Sequence, residues 1–269
     1  MPLRWRLALC CCWSPSRSTS SASCCATASG ILVMTSERPT ERQAERQAPN
    51  TIMTARDLTL RRDGVTLLDS VSVTIRRGSI TLLLGHNGAG KTLLLNCLHG
   101  LINCDAGTIS GPPLAHQKMV FQKPIITRRT TGGHLRFLCP KLDNAALHDW
   151  LRRAEMDRRA TAPARMLSGG EQQKLALIGA LATRPDILFL DEPTAHLDFA
   201  ATKFVETMVR QAHEDGMTIV MTSHNRAQAE RLGEDVILLD SGRIVETAPG
   251  DQFFSAPSHP LAKQYLVHL

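Results

Sequence analysis

Gly85–Thr92, GHNGAGKT, lies between an apolar run, SITLLL (Ser79–Leu84), and a helix-like run, LLLNCLHGL (Leu93–Leu101). Every fixed position of the phosphate-loop pattern G-x-x-x-x-G-K-[ST] is filled, and the strand-loop-helix context that the pattern requires is there. The glycines allow a turn tight enough for the backbone N–H groups of Gly85, His86, Asn87, Gly88, Ala89 and Gly90 to face phosphate oxygens at the positive end of a helix. Lys91 is placed to meet β and γ phosphates, and Thr92 to offer its hydroxyl to Mg²⁺.

Outward from this loop, the pattern alternates strands and helices. Upstream, ARDLTLRRDGVTLLDSVSVTIRRGSITLLLG (Ala55–Gly85) alternates apolar and polar residues and turns at Asp63-Gly64 and Arg77-Gly78, which reads as several strands beginning near Thr54. Downstream, KTLLLNCLHGLI (Lys91–Ile102) and EQQKLALIGALATR (Glu171–Arg184) read as helices on either side of a mixed stretch. DILFLDEP and MTIVMTSH are apolar enough to be buried parallel strands, and DVILLDSGRIVETA (Asp235–Ala248) reads as a hairpin turning at Asp240-Ser241-Gly242. The alternation predicts a doubly wound α/β core.

A second chemical element is ILFLDEP (Ile187–Pro193), four apolar residues ending in two carboxylates. At the carboxyl edge of a sheet, Asp191 can hold the Mg²⁺ shell and Glu192 can orient or deprotonate the attacking water. Alone, a strand ending in Asp-Glu is as well explained by a helix cap; the phosphate loop upstream gives it its meaning.

Between these two lies LSGGEQQK (Leu167–Lys174), a serine and two glycines opening a helix with no lysine after them. It resembles the signature motif of ATP-binding cassette (ABC) ATPases, and its place after GHNGAGKT and before ILFLDEP is that family's order. The resemblance covers roughly residues 54–269. It implies a P-loop NTPase fold of the ABC type: an α/β RecA-like core, an antiparallel β subdomain, and a helical subdomain at about 125–170, within an ABC ATPase domain at 53–269. It also implies ATP and Mg²⁺ as ligands and a head-to-tail pair of cassettes. In such a pair Ser168, Gly169 and Gly170 of one copy cover the γ-phosphate held by the loop of the other, so that the missing lysine comes from the facing subunit.

Other positions follow from the same resemblance. Gln122 in MVFQKP matches the glutamine of the Q-loop, which senses Mg²⁺ and water, and His224 in MTSH matches the switch histidine. Ala195, His196, Leu197 and Asp198 match the D-loop. A lone Gln or His is usually packing or surface; these stand in a chain of five ordered motifs. Two departures stand out. Arg62 holds the place of the aromatic that stacks on adenine, where a guanidinium could make a cation-π contact. Ala195-His196 replaces the usual Ser-Ala, and His196 is read as a surface residue.

Composition limits the remaining classes. The 269 residues carry 43% hydrophobic content without an apolar run near the ~20 residues of a membrane span, so a partner must do any spanning. The +6 formal charge comes from scattered basic residues, a solvated surface rather than a nucleic-acid face. Five of the eight cysteines, Cys10, Cys11, Cys12, Cys24 and Cys25, cluster without metal-ligand spacing, and a reducing compartment fits them. Residues 1–52 lack a face-burying period and are expected to be a disordered extension, with translation starting instead at Met34 or Met53.

One cassette without membrane segments is similar to the separate ATPase subunit of a bacterial importer. That likeness implies a homodimer at the cytoplasmic face of the inner membrane, held peripherally by transmembrane permease subunits and fed by a solute-binding protein, with no nucleic acid. Pro124, Arg128 and Arg129 would face the permease. LLLNCLHGLI, MVFQKPIITRRTT and FFSAPSHPLAKQYL look most like ATPases for tungstate or related oxyanions. Uptake of phosphate or polar amino acids is the alternative, as is a non-transport cassette acting on soluble partners.

Overall fold

The computed structural model describes residues 50–268; the expectation of disorder over most of 1–52, and the cysteine cluster, lie outside them. Strand β1 (Thr51–Arg62) begins three residues before the start read from the alternation, with Thr51 paired to Arg76 and Ile52 and Met53 buried. It runs into β2 (Val65–Arg76) through Asp63 and Gly64, both at positive φ as a tight hairpin requires. The antiparallel sheet is completed by β4 (Ala106–Ser110) on the other edge of β1, in the order β2-β1-β4. Every residue of β4 is exposed, so no apolar alternation announces this strand in the sequence.

The second sheet has six strands in the order β5-β6-β7-β3-β8-β9. β3 (Ile80–Leu84), β5 (Gln117–Val120), β6 (Ile187–Leu190), β7 (Thr218–Thr222) and β8 (Asp235–Asp240) are parallel, and β9 (Arg243–Pro249) returns antiparallel through Ser241-Gly242. β3, β6 and β7 are buried along their whole length because both faces of the sheet are covered. Alternate residues divide between two cores. Leu82, Leu84, Leu188, Leu190, Ile219 and Met221 pack under helices α4 (Gly169–Leu181), α5 (Phe199–Glu214), α6 (Arg226–Leu232), α7 (Gly250–Ser255) and α8 (Pro260–His268). Leu83, Ile187, Phe189, Val220 and Ile237 face α1 (Lys91–His99) and the antiparallel sheet.

A third cluster lies beside these. Ile126, Leu135, Leu151, Met156 and Leu167 pack together around α2 (Thr131–Leu138) and α3 (Asn144–Arg153), with Leu175 and Ile178 of α4. Helix α4 contributes Leu177 and Leu181 to the main core as well, so its second half, buried from Leu177 to Leu181, joins the helical layer to the sheet. Cys97 and Cys139 are buried as free thiols, and burial pushes Cys97 up to about 12, beyond reactive range. Among the described residues no helix is long and apolar enough to cross a membrane.

Candidate nucleotide site

Four neighbouring parallel strands, β5, β6, β7 and β3, end at one level of the sheet, where Val120 pairs with Leu190, Leu190 with Met221 and Leu83 with Thr222. The next residues of each strand are therefore delivered to a common edge: Gln122, Asp191 and Glu192, His224, and the loop from Gly85. This is the crevice at the carboxyl ends of parallel strands where α/β sheets bind ligands.

The loop's shape depends on Gly85 and Gly90. Gly85 has φ 145°, and a Cβ there would meet Leu239 O at 2.2 Å. Gly90 has φ 103° and caps α1 in the left-handed region, so the first helical N–H groups point back over the loop. Lys91 folds over the turn: its Nζ donates to Gly85 O at 2.8 Å and to His86 O at 3.1 Å. Burial lowers the pKa of this ammonium, while the charges of Glu192 and Asp191 act the other way. His86, Asn87 and Gly88 form the exposed crown, and Ala89 is buried beneath it.

Across the edge, Thr92 Oγ1 donates to Asp191 Oδ1 at 3.0 Å, and Thr222 Oγ1 donates to the same oxygen at 3.0 Å. Thr92 and Asp191, in contact with each other, offer oxygen donors that fit Mg²⁺, and Gln122, which meets Glu192 through Nε2, would add its amide oxygen. Glu192 follows at φ 43°, an uncommon conformation for a non-glycine residue, stabilised by its N–H donating to Thr222 Oγ1 at 2.7 Å. The turn sends its carboxylate off the strand, where one oxygen accepts from Gln122 Nε2 at 3.0 Å and the other lies 2.5 Å from His224 Nε2.

Behind His224 is a buried relay. Gln228 Oε1 accepts from Ser223 Oγ at 2.9 Å and Thr194 Oγ1 at 3.1 Å, and its amide nitrogen donates to Glu206 Oε1 at 3.2 Å. This fixes the loop carrying the histidine to the loop after Glu192. Sequence reasoning missed Thr222 and Gln228. The signal for Thr222 was a hydroxyl at the carboxyl end of a strand whose interior, Ile219–Met221, is apolar; Gln228, inside a short helix, gives none.

Ser168, Gly169 and Gly170 sit elsewhere. Ser168 caps α4 in a capping box, its Oγ accepting from Glu171 N while Glu171 Oε2 accepts from Ser168 N, and Arg159 pairs with that carboxylate at 2.9 Å. As a cap the hydroxyl is an acceptor, so its proton is free for an anion. Among the described residues no hydrogen bond joins these three to Gly85–Thr92. His196 is exposed at φ 61°, as read from the sequence, and Asp198 caps α5 by accepting from Ala201 N.

Arg62 is engaged locally. At the end of β1 its guanidinium donates to Arg61 O at 2.7 Å and lies 3.6 Å from Asp105. A stack on adenine has to compete with that ion pair.

Comparison with known proteins gives the same assignment. The family described as ABC transporter matches residues 68–195. The "Phosphate import ATP-binding protein PstB" of Pyrobaculum aerophilum is 34% identical over 245 residues, covering 80% of this chain and 97% of that protein. The "Phosphonates import ATP-binding protein PhnC 3" of a Nostoc species is 34% identical over 210 residues, 68% of this chain and 80% of that protein. A solved "Structure of ATP binding subunit of ABC transporter" superposes with TM-score 0.72 at 24% identity, covering 81% of this chain and 99% of its own, a likeness of fold. With the phosphate loop, Gln122, Asp191, Glu192 and His224 gathered at one sheet edge, and a relative 34% identical matched over 97% of its length, the chain belongs to the ABC transporter ATPases.

Proposed function

We propose that this ATPase drives an importer of a phosphorus oxyanion, working as a homodimer bound peripherally to permease subunits at the cytoplasmic face of a bacterial inner membrane, with a solute-binding protein upstream. The observation that carries the hydrolytic part is the Glu192 carboxylate held between Gln122 Nε2 at 3.0 Å and His224 Nε2 at 2.5 Å, beside the Thr92–Asp191 pair. In that position Glu192 orients and deprotonates a water aimed at the γ-phosphate. His224 then contacts the γ-phosphate and Gln122 reports on the water and on the permease. Lys91, with the loop's N–H groups, takes the phosphate charge, and Thr92, Asp191 and Gln122 would hold Mg²⁺, which would supply further neutralisation of that charge. Ser168, Gly169 and Gly170 of the second copy close over the γ-phosphate.

For the cargo, the relatives, which are named for phosphate and phosphonate import, support the phosphate alternative over tungstate. Deletion of the gene tests this reading. Phosphate or phosphonate uptake should fall, and be restored by the wild-type chain but not by Glu192→Gln. Loss of tungstate or polar amino acid uptake instead would overturn the cargo. Intact uptake of all of these, with the chain co-purifying with ribosomes or DNA, would favour the non-transport alternative.

A further inference from the structure

Tyr265 is the chain's single tyrosine, and it is buried at the foot of the phosphate loop. Gly85 N donates to its hydroxyl at 3.1 Å, the hydroxyl lies 3.4 Å from Gly85 O, and its ring meets that of His86 edge to face at 5.1 Å between centroids. The ring packs in the main core with Ala262 and Leu266 of α8. The next residue is tied down too: Leu266 O accepts from Arg226 Nη1 at 2.8 Å, two residues beyond His224. The last helix thus touches the phosphate loop and the start of the helix that follows the switch histidine. Burial raises the pKa of the phenol, opposed by the Gly85 hydrogen bond and reinforced by the Glu192 charge, so it keeps its proton at neutral pH.

Gly85 O is shared. It accepts from Lys91 Nζ at 2.8 Å and has the Tyr265 hydroxyl within reach. Lys91 has three N–H donors and spends two of them on Gly85 O and His86 O, so reaching both the β and γ phosphates means withdrawing at least one from a loop carbonyl, and a buried carbonyl left without a donor is costly. We propose that Tyr265 is a positioning residue of the nucleotide site: its hydroxyl keeps Gly85 satisfied when Lys91 turns to the phosphates, so that the C-terminal helix favours nucleotide binding. The proposal rests on reading Gly85–Thr92 as the phosphate loop.

Because the chain has one tyrosine, 3-fluorotyrosine labelling of the full protein gives one ¹⁹F resonance for this position. With Mg²⁺ chelated to prevent hydrolysis, ATP should shift that resonance in step with binding followed by displacement of a fluorescent ATP analogue. AMP, without β and γ phosphates, should not shift it, and Lys91→Ala should abolish the ATP shift. Tyr265→Phe should weaken ATP binding by about 3- to 10-fold, as for one neutral hydrogen bond, while kcat at saturating ATP stays within about twofold. An unmoved resonance with ATP bound overturns the proposal, as does a Tyr265→Phe variant that keeps its affinity or loses kcat alone. If ATP does not bind the unaltered chain, the phosphate-loop reading itself falls. Should Tyr265→Phe fail to fold, the resonance of the unaltered chain still decides.

Discussion

At the scale of single residues, the site is organised around two hydroxyls. Thr92 and Thr222 both donate to Asp191 Oδ1, and Thr222 also accepts from Glu192 N, so one strand-end threonine positions both carboxylates. Thr222→Val keeps the shape, but leaves the Glu192 N–H without its acceptor. Stability should fall by ~1–3 kcal/mol in urea unfolding, and kcat/KM by about tenfold, the penalty for an unmet buried donor beside the reacting groups. Glu192→Gln should act differently: ATP stays bound, and phosphate release slows by at least ~100-fold, the usual scale for loss of a general base. Brisk turnover in that variant would remove Glu192 from the role of base. The contrast explains what was legible. GHNGAGKT carries its chemistry in contiguous residues, and ILFLDEP places its carboxylates by strand polarity alone. Thr222, Gln228 and Tyr265 matter only through neighbours that the fold supplies, in Tyr265's case a partner 180 positions away.

At the scale of elements, the helical layer has its own core and its own weakness. His134 of α2 is buried, its Nδ1 accepts from Thr127 N at 3.3 Å, and Nε2 has no partner among the described residues. Burial therefore lowers its pKa. The sign follows from linkage: as pH falls through about 6.5, the unfolded chain binds a proton that folded His134 refuses, and stability drops by at most about 1.4 kcal/mol per pH unit from this group. His99 shifts in the same direction, so the test is a difference. Urea unfolding at pH 7.5 and 5.5 should show a smaller pH effect in His134→Gln than in the unaltered chain; equal effects would mean that His134 does not titrate on unfolding. The layer's helices were hard to read from the sequence because α2 starts at Thr131-Gly132-Gly133 and α3 is only ten residues long, so propensity and period are both weak. Their boundaries come from caps instead, Thr130 accepting from Gly133 N and Asp143 from Ala146 N.

At the scale of the whole molecule, the two elements proposed to face phosphate are set apart. The loop at Gly85–Thr92 is tied to β3, Asp191 and Tyr265, whereas Ser168–Gly170 is tied to Glu171, Arg159 and the start of α5. Two apolar side chains flank the second element in full exposure: Met166 just before it and Phe199 at the start of α5, 78% and 83% accessible. Exposed large apolar residues beside a capped helix N-terminus are the expected rim of a contact with another molecule. A C2 pair of this chain would place each loop against the other copy's Ser168 and so build two equivalent sites. Complementation distinguishes this from catalysis within one copy. Lys91→Ala and Ser168→Arg should each be inactive alone. Mixed one to one, they form heterodimers in which one site carries both lesions and the other carries neither. Phosphate release should then return to as much as about a quarter of the unaltered rate, since half the dimers are mixed and each has one whole site. Recovery should grow with protein concentration, as an association requires. If the mixture stays as inactive as its parts, while both variants still unfold cooperatively at the unaltered temperature, the paired site is wrong and Ser168 does not serve a neighbour's nucleotide.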